Sequence, residues 1–404
     1  MRRVNILLVF LALLFFVGVV NGEEGVTDEE IFIGQYGPLT GVAKAWGKTI
    51  YGPKLYFAYI NANGGIHGRK LVLKYFDDSY TPAKTMYGVK ALQEQKGMFA
   101  WIGGVGTENG MRVKNYLVNR QVPWVGPFSG ASAWVSPPSK HIFTIYPQND
   151  YEAALVTRYA GEVLKRQRIA IIYQDDHYGK EALAGLKSQI ATYPEMELVA
   201  AVPVSKQESK LQPYVQKLHQ SNPDAVLLWV NPFTAVKILH LGKMMQFAPV
   251  WMAPSPLSDY EYLYVASRRL IEGLISVHYI TPDHPKIQTY RAFYEQHKEE
   301  LEIPEFTEFL IGSIGYAEPM VAALRACGRE LTREKFVQEM EKIQNFRGLL
   351  SPITFAPFDP DNPDCRIGMK KFFMSQCDAG GEKRILTELF DLDSEIKQVN
   401  PPKL

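Results

Sequence analysis

Short apolar runs alternate with longer amphipathic segments along this chain. Residues 31–34, 70–76 and 99–103 are rich in the β-branched and aromatic side chains that favour strands. The segments between them have the apolar spacing of helices, as residues 111–120 show. Near-continuous apolar strands separated by amphipathic helices are typical of parallel sheets covered on both faces. The pattern therefore predicts an α/β fold.

The same alternation resumes after a linker that contains Pro137, Pro138 and Pro147. The predicted strands of this second series are residues 168–173, 198–204, 225–230 and 250–253, and its predicted helices are residues 151–164, 180–192, 211–220 and 234–245. We interpret Asn149 and Glu152 as a helix N-cap with its reciprocal acid. Two such series predict two doubly wound parallel-sheet lobes.

Small residues follow the predicted strands at the points where the apolar runs end. Gly37, Pro38 and Gly41 follow the first strand, and a Gly-rich turn at residues 103–110 follows the third. In open α/β sheets, small ligands bind at the carboxyl ends of the strands. We therefore expect a ligand site at this edge of the sheet.

The N-terminal segment has the character of a secretory signal peptide. Arg2 and Arg3 precede an apolar run at residues 6–20, and small residues place the cleavage point near Gly22. A retained membrane anchor is the alternative, although the run is short for a span of about 20 residues. We expect residues 1–22 to be removed on export.

Composition and motifs exclude several classes of function. A formal net charge of +1 with 22% charged residues gives no basic footprint for nucleic acid. The chain has no Gly-x-Ser-x-Gly turn, no His-Glu-x-x-His and no phosphate-binding loop. The turn at residues 104–110 misses the dinucleotide-binding spacing by one residue. We therefore predict a protein that is not an enzyme and needs no cofactor.

The chain has three cysteines, at Cys327, Cys365 and Cys377. None has a close cysteine or histidine at ligand spacing, so a metal site is not expected. An exported protein can keep a disulfide, and Cys365 and Cys377 flank a predicted strand at residues 370–375, which makes them a candidate pair. Cys327 is then either a buried free thiol or an alternative partner for one of them.

Several longer motifs match one known family in order and spacing. They are IGQYGPLTG at 33–41, INANGGIHGR at 60–69, VPWVGPFSG at 122–130 and RIAIIYQDDHYG at 168–179. Together they make the chain resemble the type I periplasmic solute-binding proteins of ABC importers, in the branched-chain amino acid-binding group. The resemblance implies a periplasmic, monomeric protein whose partners are a small-molecule ligand and an ABC permease in the inner membrane.

The resemblance also implies a discontinuous division into two lobes with the ligand cleft between them. Residues 26–146 with 279–349 would form lobe one, and residues 147–278 with 350–395 would form lobe two. Lobe closure would capture the ligand for delivery to the permease. The alternative is a ligand-sensing receptor component of the same fold that acts through a separate signalling partner.

In lobe one, the resemblance assigns five residues to the ligand. Thr107 would donate to a ligand carboxylate, and the loop Phe128, Ser129 and Gly130 would add backbone N–H groups and a hydroxyl. Trp46 would pack against the ligand body. The residues themselves support an anion here, because a Gly-rich turn at a helix N-terminus favours negative charge.

In lobe two, the resemblance assigns Tyr178, Trp229, Asn231 and Ser255 to the ligand. Tyr178 would clamp it on closure, and Trp229 and Asn231 stand at the end of the preceding strand. Ser255 occupies the position where amino-acid-binding relatives carry an acid that pairs with the ligand ammonium. A buried ammonium without a carboxylate partner is costly.

We therefore expect the ligand to be a carboxylate, either an aromatic or an aliphatic acid, that lacks an α-ammonium. An amino acid-like compound is the alternative. It would require another acid to take the place of Ser255, and Asp259 and Glu261 are the candidates a few residues on.

Overall fold

The computed structural model describes residues 22–404, so the predicted signal peptide lies outside the described residues. A first sheet has five strands in the order β2-β1-β3-β4-β5, all parallel. These strands are β1 (Glu30–Gly37), β2 (Lys70–Asp77), β3 (Ala100–Ile102), β4 (Trp124–Val125) and β5 (Ile142–Phe143).

A second sheet has seven strands in the order β12-β11-β10-β9-β8-β6-β7. They are β6 (Arg168–Gln174), β7 (Glu197–Val204), β8 (Ala225–Trp229), β9 (Val250–Ala253), β10 (Ile275–His278), β11 (Phe373–Cys377) and β12 (Lys383–Ile385). Strands β6 to β9 are parallel as predicted, β10 extends this parallel part without having been predicted, and β11 and β12 are antiparallel. The short link between β11 and β12 is of hairpin length, which requires antiparallel pairing.

Helices connect the strands and cover the sheets. They are α1 (Tyr51–Ala62), α2 (Pro82–Lys96), α3 (Thr107–Asn119), α4 (Asn149–Glu162), α5 (His177–Ile190), α6 (Gln212–Gln220), α7 (Pro232–Met244), α8 (Tyr260–Ala266), α9 (Pro285–His297), α10 (Glu308–Cys327) and α11 (Arg333–Glu341). Within residues 22–404, no helix has both the length and the apolar character that a bilayer span requires.

The chain crosses between the two sheets three times. It crosses after β5, again after β10, and a third time between α11 and β11. The crossing segments pair with one another through bridges between Thr144 and Ile367 and between Ile280 and Leu350. Helices α9 and α10 pack against α1. We therefore refer to the first sheet with α1–α3 and α9–α11 as the first lobe, and to the second sheet with α4–α8 as the second lobe.

The residue-level lobe boundaries stay a prediction.

One buried carboxylate in α10 holds α9 and the third crossing together in the first lobe. Glu318 lies in the middle of α10 and is 2% exposed. It accepts hydrogen bonds from Lys286 Nζ at 2.7 Å, from the backbone N–H of Leu349 at 2.7 Å and from Tyr290 Oη at 3.3 Å. These bonds satisfy the charge that burial would otherwise leave uncompensated.

Several helices begin at residues whose side chains cap them. Asp176, Asn231, Asp259, Thr307 and Thr332 each accept a hydrogen bond from a backbone N–H in the first turn of the helix that follows. Each such cap contributes about 1 kcal/mol to helix stability. The caps fix where α5, α7, α8 and α10 begin, and all four helices begin near the space between the lobes.

The predicted capping box at Asn149 and Glu152 is wrong. Helix α4 begins at Asn149, its N-cap is Gln148, and no side chain caps it. The Asn149 side chain donates instead to Glu181 Oε2 at 2.8 Å, and Glu152 accepts from the backbone N–H of Ser255 at 2.6 Å. Both side chains are used to join α4 to other parts of the second lobe rather than to begin the helix.

The predicted disulfide between Cys365 and Cys377 is also wrong, because all three cysteines are buried free thiols. Cys377 is the last residue of β11 and packs in the core of the second lobe. Cys365 lies in a turn beside the first crossing, where its thiol donates to the carbonyl of Asp359 at 3.6 Å. Cys327 ends α10 in the largest core cluster.

The thiols should react only when the protein unfolds. Burial raises the pKa of Cys327 to about 11 and that of Cys377 to about 12, so neither forms a thiolate near neutral pH. A thiol titration with an aromatic disulfide reagent should find no fast-reacting group in the native protein and all three in concentrated guanidinium chloride. A Cys365→Ser variant should then release one thiol fewer; release of one more would show a Cys365–Cys377 disulfide.

Candidate ligand-binding site

A cavity of about 80 Å³ lies between the two lobes. This is several times the roughly 10–15 Å³ that one water molecule requires by the same measure. Its wall contains a set of eight aromatic side chains from both lobes and from the crossing segments: Trp46, Tyr80, Phe128, Tyr146, Tyr178, Tyr279, Phe309 and Tyr316. An aromatic wall of this kind suits a flat apolar ligand body.

Six of the nine predicted site residues line the cavity. They are Trp46, Thr107, Phe128, Ser129, Tyr178 and Ser255. Each follows the carboxyl end of a strand in one of the two sheets, which is the position where ligands bind in this class of fold.

The other three predicted residues, Gly130, Trp229 and Asn231, do not line the cavity. The carbonyl of Gly130 accepts from the backbone N–H of Asn149 at 2.8 Å, so it anchors the start of α4. Trp229 is fully buried behind Tyr178, with ring centroids 6.0 Å apart. Asn231 caps α7. These three residues support the wall rather than form it, and the prediction for them is corrected accordingly.

Two hydroxyl groups form a polar pole in the first lobe. Thr107 Oγ1 and Ser129 Oγ are 2.8 Å apart, and Trp134 Nε1 donates to Ser129 Oγ at 3.1 Å. Thr107 is the first residue of α3, and no side chain caps this helix. The first-turn N–H groups of an uncapped helix are free to bind an anion. We refer to Thr107, Ser129 and the N-terminus of α3 as the hydroxyl pole.

The backbone before α3 is shaped by a glycine. Gly106 has a φ of +105°, a conformation that L side chains rarely adopt. A Cβ atom at this position would lie 2.7 Å from the ring of Tyr80. The glycine therefore lets the turn approach the aromatic wall closely and brings Thr107 to the cavity.

Trp46 joins the two lobes at the cavity. Its indole Nε1 donates to the carbonyl of Pro256, in the second lobe, at 2.9 Å. Its ring meets those of Tyr80 and Tyr178 edge-on, with centroids 5.7 Å and 6.4 Å apart. Trp46, a side chain of the first lobe, thus contacts residues of both lobes. The lobes are therefore in a closed arrangement.

Polar contacts at the rim also cross between the lobes. The backbone N–H and the hydroxyl of Ser132 donate to Glu181 Oε1 at 3.0 Å and 2.7 Å. Glu108 Oε1 and His177 Nδ1 are 2.5 Å apart, and this hydrogen bond raises the pKa of His177. These pairs lie outside the cavity and tie α5 to the first lobe.

Glu152 is a buried acid behind the wall. It is fully buried, and only one of its oxygens has a partner among residues 22–404, the backbone N–H of Ser255. Burial raises the pKa of Glu152 to about 7. The hydroxyl of Ser255 donates to Tyr146 Oη at 3.3 Å. One hydrogen bond from the backbone and one from the side chain therefore fix the position of Ser255.

Charged residues line the end of the cavity nearest the crossings. Asp259, His278 and Glu308 belong to the wall, and Lys383 stands behind them and contacts both His278 and Glu308. Burial and the nearby Lys383 keep the pKa of His278 well below its usual range, so the imidazole is neutral. Among residues 22–404, no group of histidine, cysteine and carboxylate side chains has the arrangement to hold a metal ion.

The sequence-based prediction named Asp259 as an alternative acid but missed His278, Glu308 and most of the tyrosines. Tyr146 and Tyr279 lie on the crossing segments, and Tyr316 lies on α10, far along the chain from the strand ends. The one available signal was at Tyr80, which stands three residues after the end of β2 at Asp77. Two unpartnered polar atoms in this wall, Tyr178 Oη and Asn149 Oδ1, were not foreseen either.

Comparison with known proteins matches this architecture. A protein-family model described as "Periplasmic binding protein" matches residues 30–382. The chain belongs to the periplasmic binding protein family. Proteins of this family bind solutes. The membership of this chain therefore confirms the prediction that it is not an enzyme.

A curated relative gives a more local match. The Leu/Ile/Val-binding protein homolog 3 of Brucella melitensis is 28% identical over 164 residues. That region is 40% of this chain and 44% of the relative, so the match spans less than half the length of the relative. This local match confirms the resemblance to the branched-chain amino acid-binding proteins.

Solved structures show the same fold over nearly the whole chain. A fatty acid ABC transporter substrate-binding protein from Thermomonospora curvata has a TM-score of 0.79 at 22% identity, covering 92% of this chain and 95% of that one. An ABC transporter solute-binding protein from R. palustris, in complex with benzoate, has a TM-score of 0.76 at 17% identity, covering 89% and 96%. At these identities the likeness establishes the two-lobed α/β fold alone.

The buried acid of this binding protein should make its stability fall as pH rises. The pKa of Glu152 is raised from 4.5 to about 7, so the folded state binds more protons than the unfolded state between these values. The stabilisation from protonated Glu152 is fully present below the pKa that Glu152 has in the unfolded state. It is lost as pH rises through the pKa that Glu152 has in the folded state. Relative to a Glu152→Gln variant, the wild type should lose about 3 kcal/mol of unfolding free energy by about pH 8.

Urea unfolding at several pH values measures this difference. A Glu195→Gln variant is the matched control, because it removes an exposed carboxylate from the same lobe and should give a curve parallel to that of the wild type. If the unfolding free energies of the wild type and of Glu152→Gln change with pH in parallel, the buried acid is not protonated in the folded state near neutral pH.

Proposed function

We propose that this protein is an extracytoplasmic solute-binding protein that captures a small organic carboxylate, foremost an aromatic acid, between its lobes and delivers it to an ABC permease. The observation that carries the proposal is the hydroxyl pole in a cavity whose wall contains eight aromatic side chains. Family membership gives the general role, and the ligand, the permease and the location outside the cytoplasm belong to the proposal.

The hydroxyl pole suits a carboxylate on two grounds. Thr107 and Ser129 are each at least 95% buried, so an anion held there is removed from water and feels strong local dipoles. The N-terminus of α3 adds backbone donors and the positive end of the helix dipole. In the closed cavity the two hydroxyls hydrogen bond to each other; a carboxylate would let both of them donate.

The aromatic wall suits the remaining part of the ligand. Trp46 and Tyr178 approach from different lobes, and Phe128 packs edge-on against Tyr316 at 4.7 Å between centroids. Edge-on packing around a flat ring is a favourable arrangement for aromatic groups. The benzoate-bound neighbour and the fatty acid-binding neighbour, both named for organic acids, support this choice of ligand class.

Ser255 supports a ligand without an α-ammonium. Its backbone N–H donates to Glu152 and its hydroxyl donates to Tyr146, and its side chain carries no negative charge that could pair with an ammonium. Glu152 itself stays behind the wall rather than in it. The position that holds an acid in amino-acid-binding relatives therefore presents no carboxylate to the ligand here.

Closure would couple binding to delivery. The Trp46–Pro256, Ser132–Glu181 and Glu108–His177 contacts each join the two lobes, so they exist only when the lobes are together. A ligand that contacts both lobes stabilises that arrangement by its differential affinity for the closed state. The permease would recognise the closed form.

Removal of the Thr107 hydroxyl should weaken carboxylate binding. Hydrogen bonds to charged groups contribute about 1.5–3 kcal/mol, so a Thr107→Val variant should bind benzoate about 10- to 150-fold more weakly than the wild type. Isothermal titration calorimetry on protein stripped of ligand by unfolding and refolding gives this ratio. A Thr107→Ser variant keeps the hydroxyl and should bind within a few-fold of the wild type, at roughly the same enthalpy.

The same titrations test the ligand class. Benzoate and aliphatic carboxylates should bind, and leucine and phenylalanine should bind more weakly than their deaminated counterparts. Tighter binding of the amino acids would contradict the carboxylate assignment. Equal benzoate affinity in the wild type and in Thr107→Val would show that the hydroxyl pole does not bind the carboxylate.

A further inference from the structure

Asn149 and Tyr178 bring two unpartnered polar atoms to the cavity. Both residues line the cavity; Asn149 is fully buried and Tyr178 is 6% exposed. Neither Asn149 Oδ1 nor Tyr178 Oη has a hydrogen-bond partner, and within residues 22–404 no other side chain of the cavity wall has a fully buried polar atom that lacks one. Buried polar groups are normally satisfied, so these two atoms mark a place where a group from outside the protein binds.

The orientation of the Asn149 amide is fixed by its other end. Its Nδ2 donates to Glu181 Oε2 at 2.8 Å, and a carboxylate oxygen only accepts hydrogen bonds. A flipped amide would set Asn149 Oδ1 against that carboxylate. Glu181 is itself held in place, because its Oε1 accepts from both the backbone N–H and the hydroxyl of Ser132. Asn149 therefore presents a carbonyl oxygen, which is an acceptor, to the cavity.

The Tyr178 hydroxyl is a donor without an acceptor. Burial and the nearby Glu152 raise the pKa of Tyr178 well above its ordinary value, so the phenol keeps its proton. The ring packs against two indoles, with the Trp46 centroid 6.4 Å away and the Trp229 centroid 6.0 Å away. Packing thus sets the position of the ring, and the hydroxyl group is left to bond to a ligand.

Helices α4 and α5 bring the two residues together. The helices pack along each other; Asn149 is the first residue of α4 and Tyr178 is the second residue of α5. Tyr178 and Glu181 are three positions apart on α5 and share one face of it, and Glu181 bonds to Asn149. Both side chains face a cavity of only about 80 Å³, so one small ligand can reach both of them.

Asn149 also lies beside the hydroxyl pole. Its backbone N–H donates to the carbonyl of Gly130, the residue that follows Ser129. A Cβ atom on Gly130 would lie 2.8 Å from Asn149 Oδ1, so the glycine is what leaves room for the amide. A carboxylate at the hydroxyl pole cannot donate to this oxygen. The donor that Asn149 lacks therefore has to come from another group of the ligand.

We propose that Asn149 and Tyr178 are specificity-determining residues that bind a hydroxyl substituent of the ligand. This inference rests on the proposed function, because the carboxylate of the ligand is the group held at the hydroxyl pole. A hydroxyl group both donates and accepts, so one such group can donate to Asn149 Oδ1 and accept from Tyr178 Oη. An ammonium cannot accept the Tyr178 proton, and a plain ring has nothing to donate to Asn149. The ligand class is then a hydroxylated aromatic acid.

Calorimetric titration of the ligand-stripped wild type near pH 7 tests this directly. The probes are 3- and 4-hydroxybenzoate and their counterparts 3- and 4-fluorobenzoate. Each fluoro compound has nearly the outline of its hydroxy counterpart but has no proton to donate. At least one hydroxybenzoate should bind about tenfold or more tightly than its fluoro counterpart, because two buried hydrogen bonds form.

Three variants assign the preference to the two residues. Tyr178→Phe removes a hydroxyl that makes no hydrogen bond within residues 22–404, and Asn149→Ala removes the acceptor. Each should lower the hydroxy-to-fluoro affinity ratio by about threefold or more. Tyr159→Phe is the matched control, because it removes a buried, unpartnered hydroxyl of α4 outside the cavity wall and should keep the wild-type ratio. Tyr178→Phe keeps the question decidable even if Asn149→Ala fails to fold.

The outcomes separate the two proposals. If the fluorobenzoates bind the wild type as tightly as the hydroxybenzoates, the inference is overturned and the carboxylate function stands. If none of the four compounds binds, the proposed function fails and the inference fails with it. A wild-type ratio that persists in Tyr178→Phe or in Asn149→Ala would overturn the role of that residue. A ratio that falls as far in Tyr159→Phe as in Tyr178→Phe would show an indirect effect of packing and overturn the assignment.

Discussion

The parallel direction of the strands is the constraint on which the rest of this structure depends. Parallel strands bring their carboxyl ends to one edge of a sheet, so the loops that follow β1, β3 and β4 meet in one place. In the second sheet, β6, β9 and β10 do the same. The two edges face each other across the crossings, and the cavity forms where the loops meet.

Three buried carboxylates differ in how completely the protein satisfies them. Glu318, in the first lobe, accepts three hydrogen bonds, one of them from a lysine. Asp259, in the cavity wall, accepts one long hydrogen bond on each oxygen. Buried polar groups are normally satisfied, so Glu152 is the exception: one of its oxygens has no partner among residues 22–404.

The sequence predicted the parts of the site that obey local rules. Trp46, Thr107, Ser129 and Tyr178 follow strand ends, and the position of a strand end can be found from the apolar pattern. The same reasoning failed for Asn231, because a polar residue after a strand can equally be the cap of the next helix.

Residues brought in by long-range packing could not be predicted in this way. Tyr316 lies within α10 and reaches the cavity only through packing, and Tyr279 directly follows β10, a strand that was not predicted. The charged end had the same problem, since Glu308 and Lys383 are 75 positions apart in the chain. The capping box failed because Glu152 has a stronger use in tertiary contact with Ser255 than in a local turn.

The three crossings limit how the lobes can move. A single connection would let one lobe swing, twist and slide, whereas three connections that also pair with one another through Thr144–Ile367 and Ile280–Leu350 restrict the relative motion of the lobes. We therefore expect the contacts of Trp46 with Pro256 and of Ser132 with Glu181 to form or break together. A ligand that contacts only one lobe should then gain little from closure.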